Sequence, residues 1–181
     1  MTTILGLAGS LRKKSYNRAA LRAAAELAPE GTTIDIGSID DVPLYNGDVE
    51  DAEGLPASVL RLQDQLRKAD GVLLVTPEYN AGMPGVFKNA IDWMSRGDGL
   101  KAFKGKPVAL LGASPGGFGS ILGQTNWLSV LRKLEMSPWY GATMAIARAN
   151  KLVDEEGNLV DLETRERLQK FVQSYADSLK K

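Results

Sequence analysis

Three short polar stretches each follow an apolar run, and the first of them holds residues that suit an anion. It spans residues 9–17, after an apolar run expected to be a strand over residues 3–8. Arg12 offers a planar guanidinium, and the helix expected from residue 18 offers free N–H groups and the positive end of its dipole. The loop predicts a site for a phosphate monoester, with further donors on Ser10, Ser15 and Asn17.

The same loop also has a purely structural interpretation, in which Ser15 or Asn17 caps the helix and the neighbouring basic side chains face water. Its pattern differs from a nucleoside triphosphate loop. Lys14 is followed by Ser15, but Ala8 and Lys13 stand where that motif requires glycine. The G-x-G-x-x-G fingerprint is missing as well, so the sequence disfavours a triphosphate or a tightly held dinucleotide.

The second polar stretch follows an apolar run of strand length at residues 72–75. Prolines and glycines between residues 77 and 85 prevent both strand and helix, so polar side chains are held at the end of a strand. Pro77 stiffens this loop, and Tyr79 supplies a flat apolar surface with a polar tip. Asn80 can both donate and accept hydrogen bonds, which suits the edge of a polar ring.

The third polar stretch, residues 112–119, contains four glycines and one proline. It lies between a predicted strand over residues 106–111 and a predicted helix over residues 120–134. Glycines let backbone N–H groups approach a planar ligand closely, although an ordinary glycine-rich turn has the same composition. Its position after a strand and before a helix, like that of the other two stretches, is what favours a site.

Composition removes several classes of function. Lys and Arg total 22, as do Asp and Glu, so net charge favours neither a nucleic acid nor an anionic membrane as partner. With no Cys and no His, the chain offers no disulfide, thiol nucleophile, histidine base or ordinary zinc site. The early apolar run is too short for a signal or membrane segment, so we expect a cytoplasmic protein without a metal, whose difficult chemistry belongs to a bound cofactor.

Strands and helices alternate five times along the chain, and the strands are continuous apolar runs. This pattern predicts one α/β domain over residues 1–181, with a doubly wound parallel sheet covered by helices on both faces. We expect the flavodoxin-like strand order 2-1-3-4-5, which brings the three polar loops together at the carboxyl ends of the strands. The other predicted strands are residues 32–36 and 139–146, and residues 40–56 form an irregular surface loop. Two further helices begin at residues 57 and 86, and a last helix is indicated by an apolar stripe at Leu168, Phe171, Val172, Tyr175 and Leu179.

The second polar stretch carries a resemblance to a known family. Thr-Pro-Glu-Tyr-Asn from Thr76, followed by Pro-Gly-x-x-Lys-Asn-Ala-Ile-Asp-Trp from Pro84, resembles the signature of NADPH-dependent FMN reductases, and the first loop matches that family's Gly-Ser-Leu-Arg-x-x-Ser-x-Asn. The resemblance implies FMN as cofactor, NADPH or NADH as co-substrate, and no catalytic side chain, because flavin N5 carries the hydride. It implies that the cofactor is held by Ser10, Arg12, Ser15, Tyr16 and Asn17 at the phosphate, by Pro77, Glu78, Tyr79 and Asn80 along the isoalloxazine, and by Ser114 and Gly117 on the other side.

The resemblance also implies a homodimer or homotetramer, formed through the helix after Pro84 and the helix after the fourth strand. We expect that interface to bury three or four large side chains, and we expect Glu78 to face a partner chain or to pair with Lys88. The interface residues would be Trp93, Met94, Trp127 and Trp139.

Quinones, azo compounds, free flavin or similar small molecules are the expected electron acceptors, reduced in a ping-pong reaction. The stretch from Ile121 to Trp127 contains no basic residue, which does not favour reduction of an anion such as chromate. An FMN electron carrier without its own substrate is the alternative, although carriers are usually strongly acidic and this chain is neutral. A phosphoacceptor domain of similar architecture would need acidic residues where Gly9, Ser10 and Thr76 stand.

Overall fold

A computed structural model describes residues 1–180, so Lys181, the last residue of the predicted domain, lies outside the described chain. The strands form a single sheet in which every pair is parallel. They are β1 (Thr2–Ala8), β2 (Thr32–Gly37), β3 (Gly71–Val75), β4 (Pro107–Ala113), β5 (Ser137–Pro138) and β6 (Met144–Ile146). Their order is β2-β1-β3-β4-β5, with β6 also paired to β4, which confirms the predicted flavodoxin-like topology.

Helices cover both faces of the sheet, because successive strand residues point to opposite sides and each side is apolar. Ile4 and Leu73 pack into one buried cluster, and their neighbours Leu5 and Leu74 pack into the other. The helices are α1 (Tyr16–Glu26), α2 (Gly47–Glu53), α3 (Ala57–Lys68), α4 (Gly85–Met94), α5 (Gly99–Phe103), α6 (Ile121–Lys133) and α7 (Leu162–Leu179), with a 3₁₀ turn at Ala149–Lys151. The first cluster is covered by α1 and α7, and the second by α3, α4, α5 and α6.

The predicted fifth strand over residues 139–146 is wrong in its extent. Two short strands take its place, with β5 paired to Pro107 and Val108 and β6 paired to residues from Leu111 onward. Five residues of the chain, 139–143, therefore lie opposite only residues 109 and 110 of β4. Because the extra residues of this segment have no partners on β4, they form a bulge that carries the exposed Tyr140 outward.

The predicted irregular loop over residues 40–56 contains a helix, α2. Asn46 caps it by accepting a hydrogen bond from the N–H of Asp48, and Asp48 and Glu50 supply negative charge in its first turn. The helix has no buried residue, so the apolar periodicity that identifies other helices is missing here. Within residues 1–180, no helix is long and apolar enough to cross a membrane.

Candidate active site

The three predicted loops meet at the carboxyl ends of β1, β3 and β4, where they enclose an open cleft of about 200 Å³. This is the edge of a doubly wound sheet at which ligands bind, because the connections on either side of β1 leave for opposite faces. Nine of the eleven predicted site residues line the cleft. They are Ser10, Arg12, Ser15, Tyr16, Asn17, Pro77, Glu78, Tyr79 and Ser114, joined by Ala113 and Pro115.

The loop after β1 is held by contacts within itself and with the first turn of α1. Ser15 is the N-cap of α1 and its Oγ accepts hydrogen bonds from the N–H groups of Asn17 and Arg18, at 3.2 and 3.3 Å. In the described chain, the N–H of Tyr16, the first residue of α1, has no hydrogen-bond partner. Capping and anion binding are therefore compatible, since Ser15 satisfies two donors and its hydroxyl hydrogen is still available.

Arg12 is the cationic side chain of the cleft. Its Nη2 donates to the carbonyl oxygen of Lys14 at 2.7 Å, and its guanidinium lies 4.9 Å from the centre of the Tyr16 ring. Arg18, in the first turn of α1, is turned away from the cleft, because its Nε donates to the carbonyl oxygen of Ser10 and its Nη2 pairs with Asp40. Arg12 thus keeps most of its donors free at the cleft, whereas Arg18 fixes the loop from behind.

Asn17 has a structural role that the sequence did not indicate. Its Nδ2 donates to the carbonyl oxygen of Ala113 and its Oδ1 accepts from the N–H of Ala113, both at 2.9 Å. The side chain is 3% exposed. This pair joins the start of α1 to the end of β4, and only one hydrogen of the amide remains for a ligand.

The loop after β3 contains a tight reversal. Tyr79 and Gly82 exchange two backbone hydrogen bonds of 3.0 Å, and the two residues between them, Asn80 and Ala81, have φ of 51° and 60°. This left-handed conformation is costly for residues other than glycine, so contacts elsewhere must hold it. The reversal leaves the Tyr79 side chain 53% exposed at the rim of the cleft, and it carries Asn80 beyond the cleft lining.

Glu78 holds that reversal against α6. Its Oε2 accepts hydrogen bonds from the N–H groups of Leu122 and Gly123 at 2.9 and 3.1 Å, while the N-cap residue Ser120 makes no side-chain cap. The carboxylate also lies near the positive end of the helix dipole. The predicted pairing of Glu78 with Lys88 is wrong, because Lys88 binds Asp92 one turn along α4 at 2.7 Å.

A second contact supports the same reversal from further along α6. Asn126 donates from Nδ2 to the carbonyl oxygen of Ala81 at 3.0 Å. Glu78 and Asn126 together fasten the two sides of the reversal to one helix. Sequence reasoning missed Asn126, because a single amide on a helix carries no distinctive pattern.

The loop after β4 is anchored by backbone bonds to the residues around β6. The N–H groups of Arg148 and Ala149 donate to the carbonyl oxygens of Gly116 and Ser114, both at 3.0 Å. Ser114 lines the cleft, but Gly117 does not. Glycine is required at 112, where a side chain would collide with the carbonyl oxygen of Thr76 and the hydroxyl of Ser120.

Three of the four residues predicted at a subunit interface lie inside the chain's own core. Trp93, Met94 and Trp127 are each 0% exposed in the single chain. Trp127 donates from Nε1 to the Thr76 hydroxyl at 3.0 Å, so it supports the end of β3 beneath the cleft. Trp139 is half-buried and packs 5.3 Å from the ring of Phe171. The predicted use of the three fully buried residues in an interface is therefore wrong.

Comparison with known proteins gives consistent matches over most of the chain. The family model for NADPH-dependent FMN reductase matches residues 2–151. An NAD(P)H-dependent FMN reductase of Pseudomonas aeruginosa is 44% identical over 171 residues, covering 94% of this chain and 91% of its own length. A quinone reductase of Pseudomonas putida KT2440 is 43% identical over 172 residues, covering 95% and 91%.

A solved structure agrees in fold as well as in sequence. FerB, a flavoenzyme NAD(P)H:acceptor oxidoreductase from Paracoccus denitrificans, is 35% identical and superposes with a TM-score of 0.83 over 99% of this chain and 97% of its own. An azoreductase of Bacillus anthracis superposes with a TM-score of 0.60 at 18% identity, over 96% of this chain and all of its own, which shows a shared fold.

Within residues 1–180, no group of three His, Cys, Asp or Glu side chains is placed to hold a metal ion.

Proposed function

Because the chain belongs to the NADPH-dependent FMN reductase family, we propose that it uses NAD(P)H to reduce quinones, with FMN held in the cleft between the loops after β1, β3 and β4. The observation that carries this proposal is the convergence of nine predicted cofactor residues, from three separate loops, on one cleft. The relatives named for quinone reduction support a quinone as acceptor. Azo compounds and free flavin remain further candidates.

The donors at the β1 side of the cleft fit the phosphate of FMN. A phosphate monoester needs several N–H or O–H donors and a positive charge at one point. The free N–H of Tyr16, the hydroxyls of Ser10 and Ser15 and the guanidinium of Arg12 supply both. The lining residues include no second cation for a pyrophosphate, so the chemistry of this donor set favours FMN over a dinucleotide.

The opposite side of the cleft fits a planar ring. Pro77 is buried and rigid, Tyr79 presents an apolar surface at the rim, and Ser114 and Pro115 bound the other side. Glu78 does not place an unshielded charge there, because its carboxylate is neutralised in part by two N–H groups of α6. FMN held here would supply the hydride chemistry that links NAD(P)H to the acceptor.

The role of the protein in this reaction is to bind and to orient. No side chain of the cleft is placed as a dedicated acid or base, and Asn80 and Gly117, which the resemblance assigns to the cofactor, lie outside the cleft lining. We retain them as contacts for the outer part of the ring, where the half-exposed Tyr79 also provides a surface for the donor and the acceptor. Holding the reacting groups at contact distance lowers the barrier, because the entropy of bringing them together is lost on binding and not in the reaction step.

Donor and acceptor would use this cleft in turn. The chain has a single anion loop at the cleft and no dinucleotide fingerprint, so a separate site for the nicotinamide nucleotide has no support in the sequence. Initial rates with NADPH and benzoquinone varied together should therefore give parallel double-reciprocal lines. Intersecting lines would show a ternary complex and contradict a shared cleft.

Assembly and location are further parts of the proposal. Leu122, Leu128 and Tyr140 are large apolar side chains that lie 48%, 37% and 76% exposed on α6 and the neighbouring bulge, and they support a homodimer or homotetramer. Light scattering of the purified protein should give a mass of two or four chains, and a monomer would exclude both. The cytoplasmic location expected from the composition is retained, together with a single domain.

A further inference from the structure

A second large cavity lies at the opposite edge of the sheet from the cleft, where the strands begin. Its volume is about 800 Å³, and it is bounded by the end of α3, the turn before β4, the end of α7 and the start of β1. Among the described residues that line it, five side chains are cationic and one, Asp70, is acidic. The cationic side chains are Arg67, Lys68, Lys104, Lys106 and Lys180.

Three of these lysines are paired, but the pairs are weak. Lys68 binds Asp64 at 2.6 Å, and both side chains are more than half exposed. Lys104 with Glu135 and Lys180 with Asp177 are similarly exposed surface pairs. Exposed ion pairs of this kind contribute little to stability, so their ammonium groups can turn to an anion in the cavity at little cost.

Lys106 differs from the other lysines of the cavity. It is half-buried in the turn before β4, and its Nζ donates to the carbonyl oxygen of Ala69 at the end of α3. Burial lowers the pKa of its ammonium group, while the carboxylate of Asp70 acts in the opposite direction. A larger share of Lys106 is therefore present as the neutral amine, which is the nucleophilic form.

We propose that Lys106 is a site of acylation by small acyl phosphates, which the surrounding cationic side chains recruit into the cavity. The phosphate group of the reagent would be held by Arg67, Lys68 and Lys104. The Nζ lone pair attacks the acyl carbon, the new C–N bond forms, the bond from that carbon to the phosphate oxygen breaks, and inorganic phosphate leaves. Nζ gives up one proton to water, so the product is a neutral amide and no oxidant or reductant is needed.

The test uses the FMN-loaded protein and acetyl phosphate, with acetyl occupancy at each lysine followed by peptide mass spectrometry. Lys106 should be acetylated at least about tenfold faster than Lys101, which lies outside the cavity and is 83% exposed. The reason is that a focused positive field raises the local concentration of an anion by about tenfold or more. Inorganic phosphate should protect Lys106, whereas sodium chloride at the same ionic strength should protect it less. Arg67→Gln should slow the reaction at Lys106, and Arg132→Gln on α6 should not.

A neutral reagent, N-hydroxysuccinimidyl acetate, separates recruitment from reactivity alone. Recruitment by the cavity requires the preference for Lys106 over Lys101 to be smaller with this reagent than with acetyl phosphate. Equal rates at the two lysines with acetyl phosphate, equal preference with both reagents, or no protection of the native protein by phosphate would each overturn the proposal. The readout is acetylation and not quinone reduction, so its failure is distinguishable from failure of the proposed function.

Discussion

The loop after β1 and the loop after β3 line the same cleft but are held in different ways. The first depends on its own neighbourhood, since Ser15 caps the helix that follows it and Arg12 bonds to Lys14 two residues away. The second contains two left-handed residues and is fastened by Glu78 and Asn126 to a helix more than forty positions along the chain. The comparison indicates that the phosphate side of the site is organised locally and the ring side is organised by tertiary contacts.

Asn17 differs from the rest of the first loop because its side chain is bonded to a distant residue, Ala113. Asn17→Ala should therefore have the largest effect on stability. The change removes both hydrogen bonds to Ala113 and leaves a buried N–H and a buried carbonyl unpaired. We expect the free energy of unfolding to fall by about 2–4 kcal/mol, with weaker FMN binding as a consequence. Urea unfolding measures the change in the free energy of unfolding. The control is Asn46→Ala, which removes an exposed cap of α2; it should lower the free energy of unfolding by only about 1 kcal/mol and leave FMN binding unchanged.

Arg12→Ala tests whether the local loop binds the cofactor. Arg12 is exposed and contributes little to the fold, so the unfolding free energy of the apoprotein should stay nearly constant. Loss of a charge-assisted contact worth about 1.5–3 kcal/mol should weaken FMN binding about ten- to a hundredfold. Fluorescence titration with FMN measures the change, and Lys13→Ala in the same loop is the matched control because Lys13 does not line the cleft. If the affinity for FMN is unchanged, Arg12 faces solvent and does not bind the cofactor.

Glu78→Ala tests the tertiary attachment of the other loop and should lower the free energy of unfolding by about 1–2 kcal/mol, less than Asn17→Ala does. Loss of the bonds to Leu122 and Gly123 frees the reversal at Tyr79, so the KM for the quinone should rise as well. Asp161→Ala removes a similar cap, at Thr164 on α7, and should cost about as much stability without changing the KM. If the two variants changed the KM alike, Glu78 would have no positioning role.

Much of the site could be predicted from sequence because its parts are local. The strand ends, the anion loop and the strand order follow from apolar runs, glycines and alternation of elements. The sequence places Asn17 and Glu78 at the cleft, but their partners, Ala113 and the N–H groups of α6, lie far away in sequence and no pattern reveals them. Trp127 shows the same limit, because an apolar residue on a helix indicates burial without saying whether it faces the chain's own core or a partner.

The break in the predicted fifth strand has a comparable cause. Residues 139–146 have the composition of a strand. Only the pairing with β4 shows that five of them lie opposite two residues of that strand. Local propensity does not determine register when the partner strand is remote. The helix α2 was missed for the opposite reason, since its cap is local but it buries no residue.

The most direct test of the central claim is the identity of the cofactor. The protein is purified without added flavin, heated to release what it holds, and the supernatant is analysed by chromatography and mass spectrometry. A cleft with one phosphate loop predicts FMN, equimolar with the chain after reconstitution and at lower occupancy in the Arg12→Ala variant at limiting flavin. Release of FAD or another nucleotide, or failure to bind FMN on reconstitution, would contradict the account.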